Sequence, residues 1–165
     1  MSYVCGECGK VHDEQARYFE WRRPRLRPWE SRRLRYDNRF TCRIPGRKYF
    51  IFCELELSFP DRSQKPLGFM GWAQVNRANY HQYRRFRRSA PGHSYHRRVV
   101  VGRLANPIPA VPNSTGTRIR FVALRGDPTP YIRWVAPNTL LARRLSEGAT
   151  DSFWHQALDW MAKGP

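Results

Sequence analysis

Short runs that alternate apolar and polar residues recur along this chain, and they constrain its fold more than any other feature. Cys53-Glu54-Leu55-Glu56-Leu57 is one, and Arg118-Ile119-Arg120-Phe121 is another. A period of two sends successive side chains to opposite faces, so each run predicts a strand with one buried face. Residues 49–58 lead through a loop with Pro60, Asp61 and Pro66 to a second apolar run at 67–75, which predicts a hairpin or two adjacent strands. Residues 97–104 and 117–124 are further strand candidates, separated by a Pro-rich loop at 106–116, and residues 130–135 extend the sheet.

Helical periodicity is confined to three places. Asn76 is a suitable N-cap, after which Asn79-Tyr80, Tyr83 and Phe86 recur at three-residue steps with Arg84, Arg85 and Arg88 between them. Asn138 or Thr139 can cap a helix ending near Gly148, and residues 151–162 form an amphipathic pattern with Phe153, Ala157, Trp160 and Met161 inward. Pro24 and Pro28 exclude a long helix between Phe19 and Trp29 and predict an irregular, Arg-studded connection. The expected class is α+β: a single domain with a mainly antiparallel sheet and a few peripheral helices. A chain of 165 residues suits one core. Its segments are 1–48, Arg-rich with an N-terminal Cys-x-x-Cys zinc knuckle, 49–148, the α+β core, and 149–165, a C-terminal helix.

The formal net charge is +17, with 30 Lys and Arg against 13 Asp and Glu. A field of that size attracts nucleic acid or an acidic protein whatever the fold. A GC-rich coding bias toward Arg over Lys would produce the same excess without selection for binding. No stretch nears the roughly 18 apolar residues that span a membrane, and the N-terminus lacks a signal-peptide layout. The expected compartment is the cytoplasm.

A reducing cytosol disfavours disulfides, so the spacing of the four cysteines matters. Cys5-Gly6-Glu7-Cys8-Gly9 is a tight turn that points two sulfurs at one place, which is half of a tetrahedral zinc site. His12 and Cys42 complete the expected ligand set for a structural zinc. The alternatives are free surface thiols or a redox pair, the latter disfavoured because only four residues precede Cys5. Cys53 lies on the apolar face of its strand and is expected in the core.

Glu54 and Glu56 share a strand face, read as the wet side of the sheet opposite Arg118 and Arg120 rather than as an acid–base pair. His93 and His96 are expected in a solvated loop. The chain has no phosphate-binding Gly-rich loop, no Gly-x-Ser-x-Gly elbow and no His-Glu-x-x-His, so a catalytic reading has no anchor. Basic residues interleaved with aromatics are candidates for phosphate contact and base stacking. They are Arg22, Arg23, Arg84, Arg85, Arg87 and Arg88. Tyr80, Tyr83 and Phe86 share one helical side and are expected in the core.

Several motifs carry a resemblance. They are Cys5-x-x-Cys8-Gly9-x-x-His12-Asp13-Glu14, Thr41-Cys42-Arg43-Ile44, Tyr49-Phe50-Ile51-Phe52-Cys53 and Gly71-Trp72-Ala73-Gln74-Val75-Asn76. Gly102-Arg103-Leu104-Ala105-Asn106, with Pro109, Pro112 and Thr115, follows in the same order. From Cys5 to about Gly148 the chain resembles bacterial domain-of-unknown-function family 2199, a resemblance that implies no activity. Phe52-Cys53 stands where that pattern has Arg-Gly, and Thr139-Leu140 where it has His-Pro. Two functions are therefore carried forward: a zinc-stabilised basic module for nucleic acid or an acidic partner, and an accessory or enzyme-like domain with a small-ligand pocket near Trp72, Asn106 and the Pro-rich loop.

Overall fold

The structure, a computed structural model, describes residues 2–4, 9, 11–13, 18–60, 65–88, 97–125, 127 and 129–163. Strands β1 (Ser2–Val4) and β2 (Val11–Asp13) pair as an antiparallel ribbon. Eight more strands form one sheet: β3 (Tyr18–Glu20), β4 (Arg35–Asn38), β5 (Thr41–Ile44), β6 (Lys48–Leu57), β7 (Leu67–Val75), β8 (Arg97–Leu104), β9 (Arg118–Leu124) and β10 (Tyr131–Val135). The helices are α1 (Pro28–Ser31), α2 (Arg77–Arg88), α3 (Leu140–Glu147) and α4 (Asp151–Lys163). The class is mixed α+β, as the alternating runs predict.

Strands β6 to β10 follow one another around a closed five-stranded barrel. Successive neighbours are antiparallel, and an odd number of alternating strands returns to its start with two pointing the same way. The seam is accordingly parallel, with Tyr131 of β10 opposite Glu54 of β6. Along that same edge of β6, residues 48–51 pair instead with β5. Phe52 N–H then donates to Phe40 O at 2.8 Å and Glu54 N–H to Pro130 O at 2.9 Å, so the edge is satisfied as it passes from β5 to β10.

Both faces of β6 are buried over residues 49–55, while Glu56 near its end is exposed, as expected of a wet face. Ile51, Cys53, Leu55 and Leu57 point into the barrel with Leu67, Phe69, Val100, Ile119, Phe121 and Ile132. Phe50 and Phe52 point outward into a second cluster with Cys42, Ile44, Trp72 and Ala105, packed against Trp21, Leu26, Leu34, Phe40 and Met70. The Arg-rich connection is irregular, as the prolines require, apart from the single turn of α1, with Pro28 at its start. There Glu30 is buried and its carboxylate lies 2.7 Å from Lys48 Nζ. That hydrogen bond holds the Glu30 carboxyl below its ordinary value.

The helices close over the barrel core. Asn76 Oδ1 accepts from Asn79 N–H at 2.7 Å, capping α2, whose Tyr80 and Tyr83 are buried. Thr139, not Asn138, caps α3 by accepting from Ala142 N–H at 3.1 Å. Gly148 ends α3 at φ 84°, where an added Cβ would lie 2.6 Å from Ser58 O, so glycine is required there. In α4, Phe153, Trp154 and Ala157 are buried, while Trp160 and Met161 are half-buried. Strands β3, β4 and β5 were not among the expected strands: they are short, and a bulge between Tyr36 and Asn38 breaks the alternation.

One side chain ties the irregular segment to the sheet. Buried Asn106 accepts from Trp72 N–H at 2.9 Å and donates through Nδ2 to Arg23 O at 2.9 Å. Trp72 Nε1 donates to Trp21 O at 3.0 Å, and Trp21 Nε1 to Pro107 O at 3.1 Å. Asn106→Ala strands the Trp72 N–H in an apolar cluster, at about 1–3 kcal/mol for each orphaned buried group. The expected fall in thermal midpoint is roughly 4–10 °C. A melt within about 1 °C of the parent would remove Asn106 from this role.

Candidate nucleic-acid interface

The outer face of β8, β9 and β10 is uncovered. Alternation places Arg97, Val99, Val101 and Arg103 outward on β8, and Arg118, Arg120, Val122 and Leu124 outward on β9. Register sets Arg103 beside Arg118 and Val101 beside Arg120. Trp134 of β10 lies beside Arg120, and Tyr131 beside Val122. None of these three strands contains an Asp or Glu.

Two arginines here lie over aromatic rings. Arg120 lies 4.7 Å from the Trp134 ring centroid and Arg133 lies 5.4 Å from that of Tyr131. A guanidinium stacked on a ring keeps its in-plane N–H groups pointing outward, where they match phosphate oxygens bidentately. Arg103 is braced by donating to Gly116 O at 3.1 Å. The same face runs into an open cleft of about 540 Å³ whose walls include Arg47, Arg77, Arg103 and Arg118, with Gln74 and Asn76. Its walls carry no carboxylate.

The arginines expected at the interface have mixed fates. Arg22, Arg23, Arg85 and Arg88 are exposed. Arg84 is 3.4 Å from Asp37 and lies over the Tyr80 ring, and Arg87 donates to Asp127 O. Those two help to hold α2 in place. The β8–β10 face escaped the sequence reading because Arg118 and Arg120 were assigned to Glu54 and Glu56. In fact β10 lies between β9 and β6.

Glu54 is correspondingly not on a wet face. It is buried, and burial, then Glu56, then Asp127 push its carboxyl up from the ordinary 4.5. Asp127 also accepts from the Tyr131 hydroxyl, which with burial pushes that phenol up to about 12. A carboxyl raised in the folded state favours the folded form fully below about pH 4.5, and that contribution is lost as pH rises through the folded value. Glu54→Gln should therefore melt higher than the parent near neutral pH, with the difference vanishing near about pH 4. Melts across that range test this, and a neutral-pH midpoint below the parent would refute it.

The expected zinc ligands separate into two groups. Cys5 and Cys8 lie outside the described residues, as do His93 and His96, and His12 belongs to β2. Cys42 is fully buried in the outer apolar cluster, and burial followed by the charge of Asp37 pushes its thiol up. Cys53 is a core thiol inside the barrel. Among the described residues no three His, Cys, Asp or Glu side chains gather as a metal would need.

In the region expected to hold a pocket, near Trp72, Asn106 and the Pro-rich loop, the space beside Trp72 and Asn106 is only about 10 Å³, and the larger opening lies at the Pro-rich loop. That opening, a cleft of about 470 Å³, lies between Arg25, Trp160 and the Pro-rich loop, where Ala110 and Asn113 hold φ of 58° and 57°. The two positions that depart from the family pattern have structural work here. Phe52 and Cys53 pack the two clusters, and Thr139 caps α3.

Fold and surface define a small α+β barrel protein with one strongly basic, aromatic face. Residues 4–149 match the family described as "Uncharacterized protein conserved in bacteria (DUF2199)", and the chain belongs to that family. No curated protein and no solved structure matches it. No helix among the described residues is long and apolar enough to cross a membrane.

Proposed function

We propose that the protein is a nucleic-acid-binding module that receives a single strand on the outer face of β8, β9 and β10. The observation that carries this reading is the row of Arg97, Arg103, Arg118, Arg120 and Arg133, with Trp134 and Tyr131 beneath two of the guanidinium groups. Outward residues two apart on a strand are about 6.8 Å from one another, so adjacent arginines can meet successive phosphates of an extended strand. Aromatic rings on an open sheet supply stacking without demanding a sequence. An acidic protein segment would meet the same charges without using the rings.

Labelled single-stranded and duplex oligonucleotides titrated at about 0.15 M salt provide the test. The expected single-strand affinity is better than about 10⁻⁷ M, beyond the 10⁻⁴ to 10⁻⁶ M of non-specific attraction. Arg118→Glu with Arg120→Glu should weaken it at least about tenfold, the loss of one or more charge-assisted contacts. Trp134→Ala should weaken it with the salt slope unchanged, because stacking releases no counterions. Affinity no better than the non-specific range, or equal loss on reversing charges elsewhere, would make the excess of arginine incidental. The cleft between Arg25, Trp160 and the Pro-rich loop would then be the place to seek a small ligand, since it combines one cation, one ring and strained backbone.

We also propose a structural zinc held by Cys5, Cys8 and His12 near the N-terminus. The donor set supports this by its spacing and chemistry. Cys42 can be the fourth ligand only by leaving an apolar cluster and giving up a proton that burial holds. The expected outcome is one zinc per chain by elemental analysis, lost in Cys5→Ser and retained in Cys42→Val. Chelation should lower the thermal midpoint, and a metal-free protein with an unchanged melt would end the zinc proposal.

A further inference from the structure

We propose that the cleft between the β4–β5 hairpin and the last turns of α2 is a binding site for a phosphate monoester. It stands apart from the β8–β10 reading and rests on different residues. The cleft is about 190 Å³, and its walls are Asn38, Phe40 and Thr41 on one side and Tyr83, Arg84, Arg87 and Arg88 on the other. At about 30 Å³ per water it has the volume of roughly six waters. That suits a phosphate head group and the first atoms of its ester, and it lies below the 300–1,000 Å³ of sites that enclose a whole small molecule.

The donors converge and are preset. Arg84 is fixed by Asp37 at 3.4 Å and by the Tyr80 ring, and Arg87 by the Phe40 ring at 5.9 Å and by Asp127 O. Each guanidinium has five N–H donors, so these anchors leave others to give. Arg88 is exposed and has no carboxylate partner among the described residues. Asp37, which holds Arg84, is already compensated by Arg43 at 3.2 Å, by Arg84 and by the Tyr80 hydroxyl.

Two neutral groups complete the cradle. Asn38 Oδ1 accepts from Phe40 N–H at 2.9 Å and from the Thr41 hydroxyl at 3.0 Å, which settles the orientation of the amide. Its Nδ2 is thereby turned away from both and keeps its donors. The Tyr83 hydroxyl is buried without a hydrogen-bond partner among the described residues, and Tyr83 lines the cleft. Unpartnered buried hydroxyls are costly, and a site for an anion is one reason for a fold to keep one.

The first probe is inorganic phosphate, followed by calorimetry and thermal melts against chloride at equal ionic strength. Saturable one-to-one binding and a raised midpoint are expected. Arg88→Ala should weaken it at least about tenfold, as the loss of a charge-assisted hydrogen bond does. Arg85→Ala removes the same charge from the same helix outside the cleft and should leave affinity within about twofold. Arg118→Glu should also leave phosphate binding intact, which separates this site from the β8–β10 face.

A second arm compares one oligonucleotide with a 5′-phosphate and with a 5′-hydroxyl. Tighter binding of the phosphorylated strand, abolished by Arg88→Ala, places the phosphate on a strand end. Equal binding, with phosphate still saturable, places it on a free phosphomonoester. Equal losses in Arg85→Ala and Arg88→Ala, or no saturable phosphate binding, would overturn the site.

Discussion

Strand β6 is buried on both faces over residues 49–55, and the rest of the molecule is arranged around that demand. Its odd-numbered side chains need an interior, which the barrel of β6 to β10 provides. Its even-numbered side chains, Phe50 and Phe52, need a second cover, and the hairpin of β4 and β5 with the irregular segment from Trp21 supplies it. Fully burying a side chain of this size contributes about 1.5–3 kcal/mol, so neither face can be left wet without a large loss. The edge of β6 is shared for the same reason: β5 serves its first half, and β10 serves the point where the barrel closes. Asn106 matters far beyond its size because it binds the covering segment to β7 through backbone groups that water cannot reach.

The distribution of charge follows from the same architecture. Several acidic groups are spent on holding segments together: Asp37 joins the hairpin to α2, Glu30 meets Lys48 beneath α1, and Asp127 accepts from Tyr131 beside the barrel seam. What remains outward is mostly arginine, with Glu20, Glu56, Glu147 and Asp159 exposed among the described residues. An uncompensated field of this size opposes compaction. Placing Arg120 over Trp134 and Arg133 over Tyr131 offsets part of it by attraction to the ring faces while leaving the donors available. The polyanion proposed as partner would relieve the remaining repulsion.

The position of that surface could not be taken from charge runs. Arg84 and Arg87 sit in the densest basic run, yet the fold uses both to hold α2 against the hairpin and the barrel. Arg118 and Arg120 carry a weaker signal, two residues in an alternating strand, yet they lie on the open face. Alternation told which residues share a face but not what lies across from that face. Cys42 is a similar case: its thiol, a zinc donor by residue type, suggests a ligand completing the Cys-x-x-Cys pair, whereas register with Phe50 turns it into an apolar cluster.

The sequence by itself determined the strands from β6 to β10, the cap of α2, the cap of α3 to within Asn138 or Thr139, the core positions of Tyr80, Tyr83 and Cys53, and the excess of arginine. Each follows from local rules, because periodicity, capping and composition are read within a few residues. Only the tertiary structure decided that the five strands close on a parallel seam, that β6 is covered on both faces over residues 49–55, and that Glu54 is buried while β8 to β10 present exposed arginine. Those outcomes depend on pairings such as Tyr131 with Glu54, between residues far apart in the chain. The free energy of such a contact comes from shared burial, which no local pattern contains.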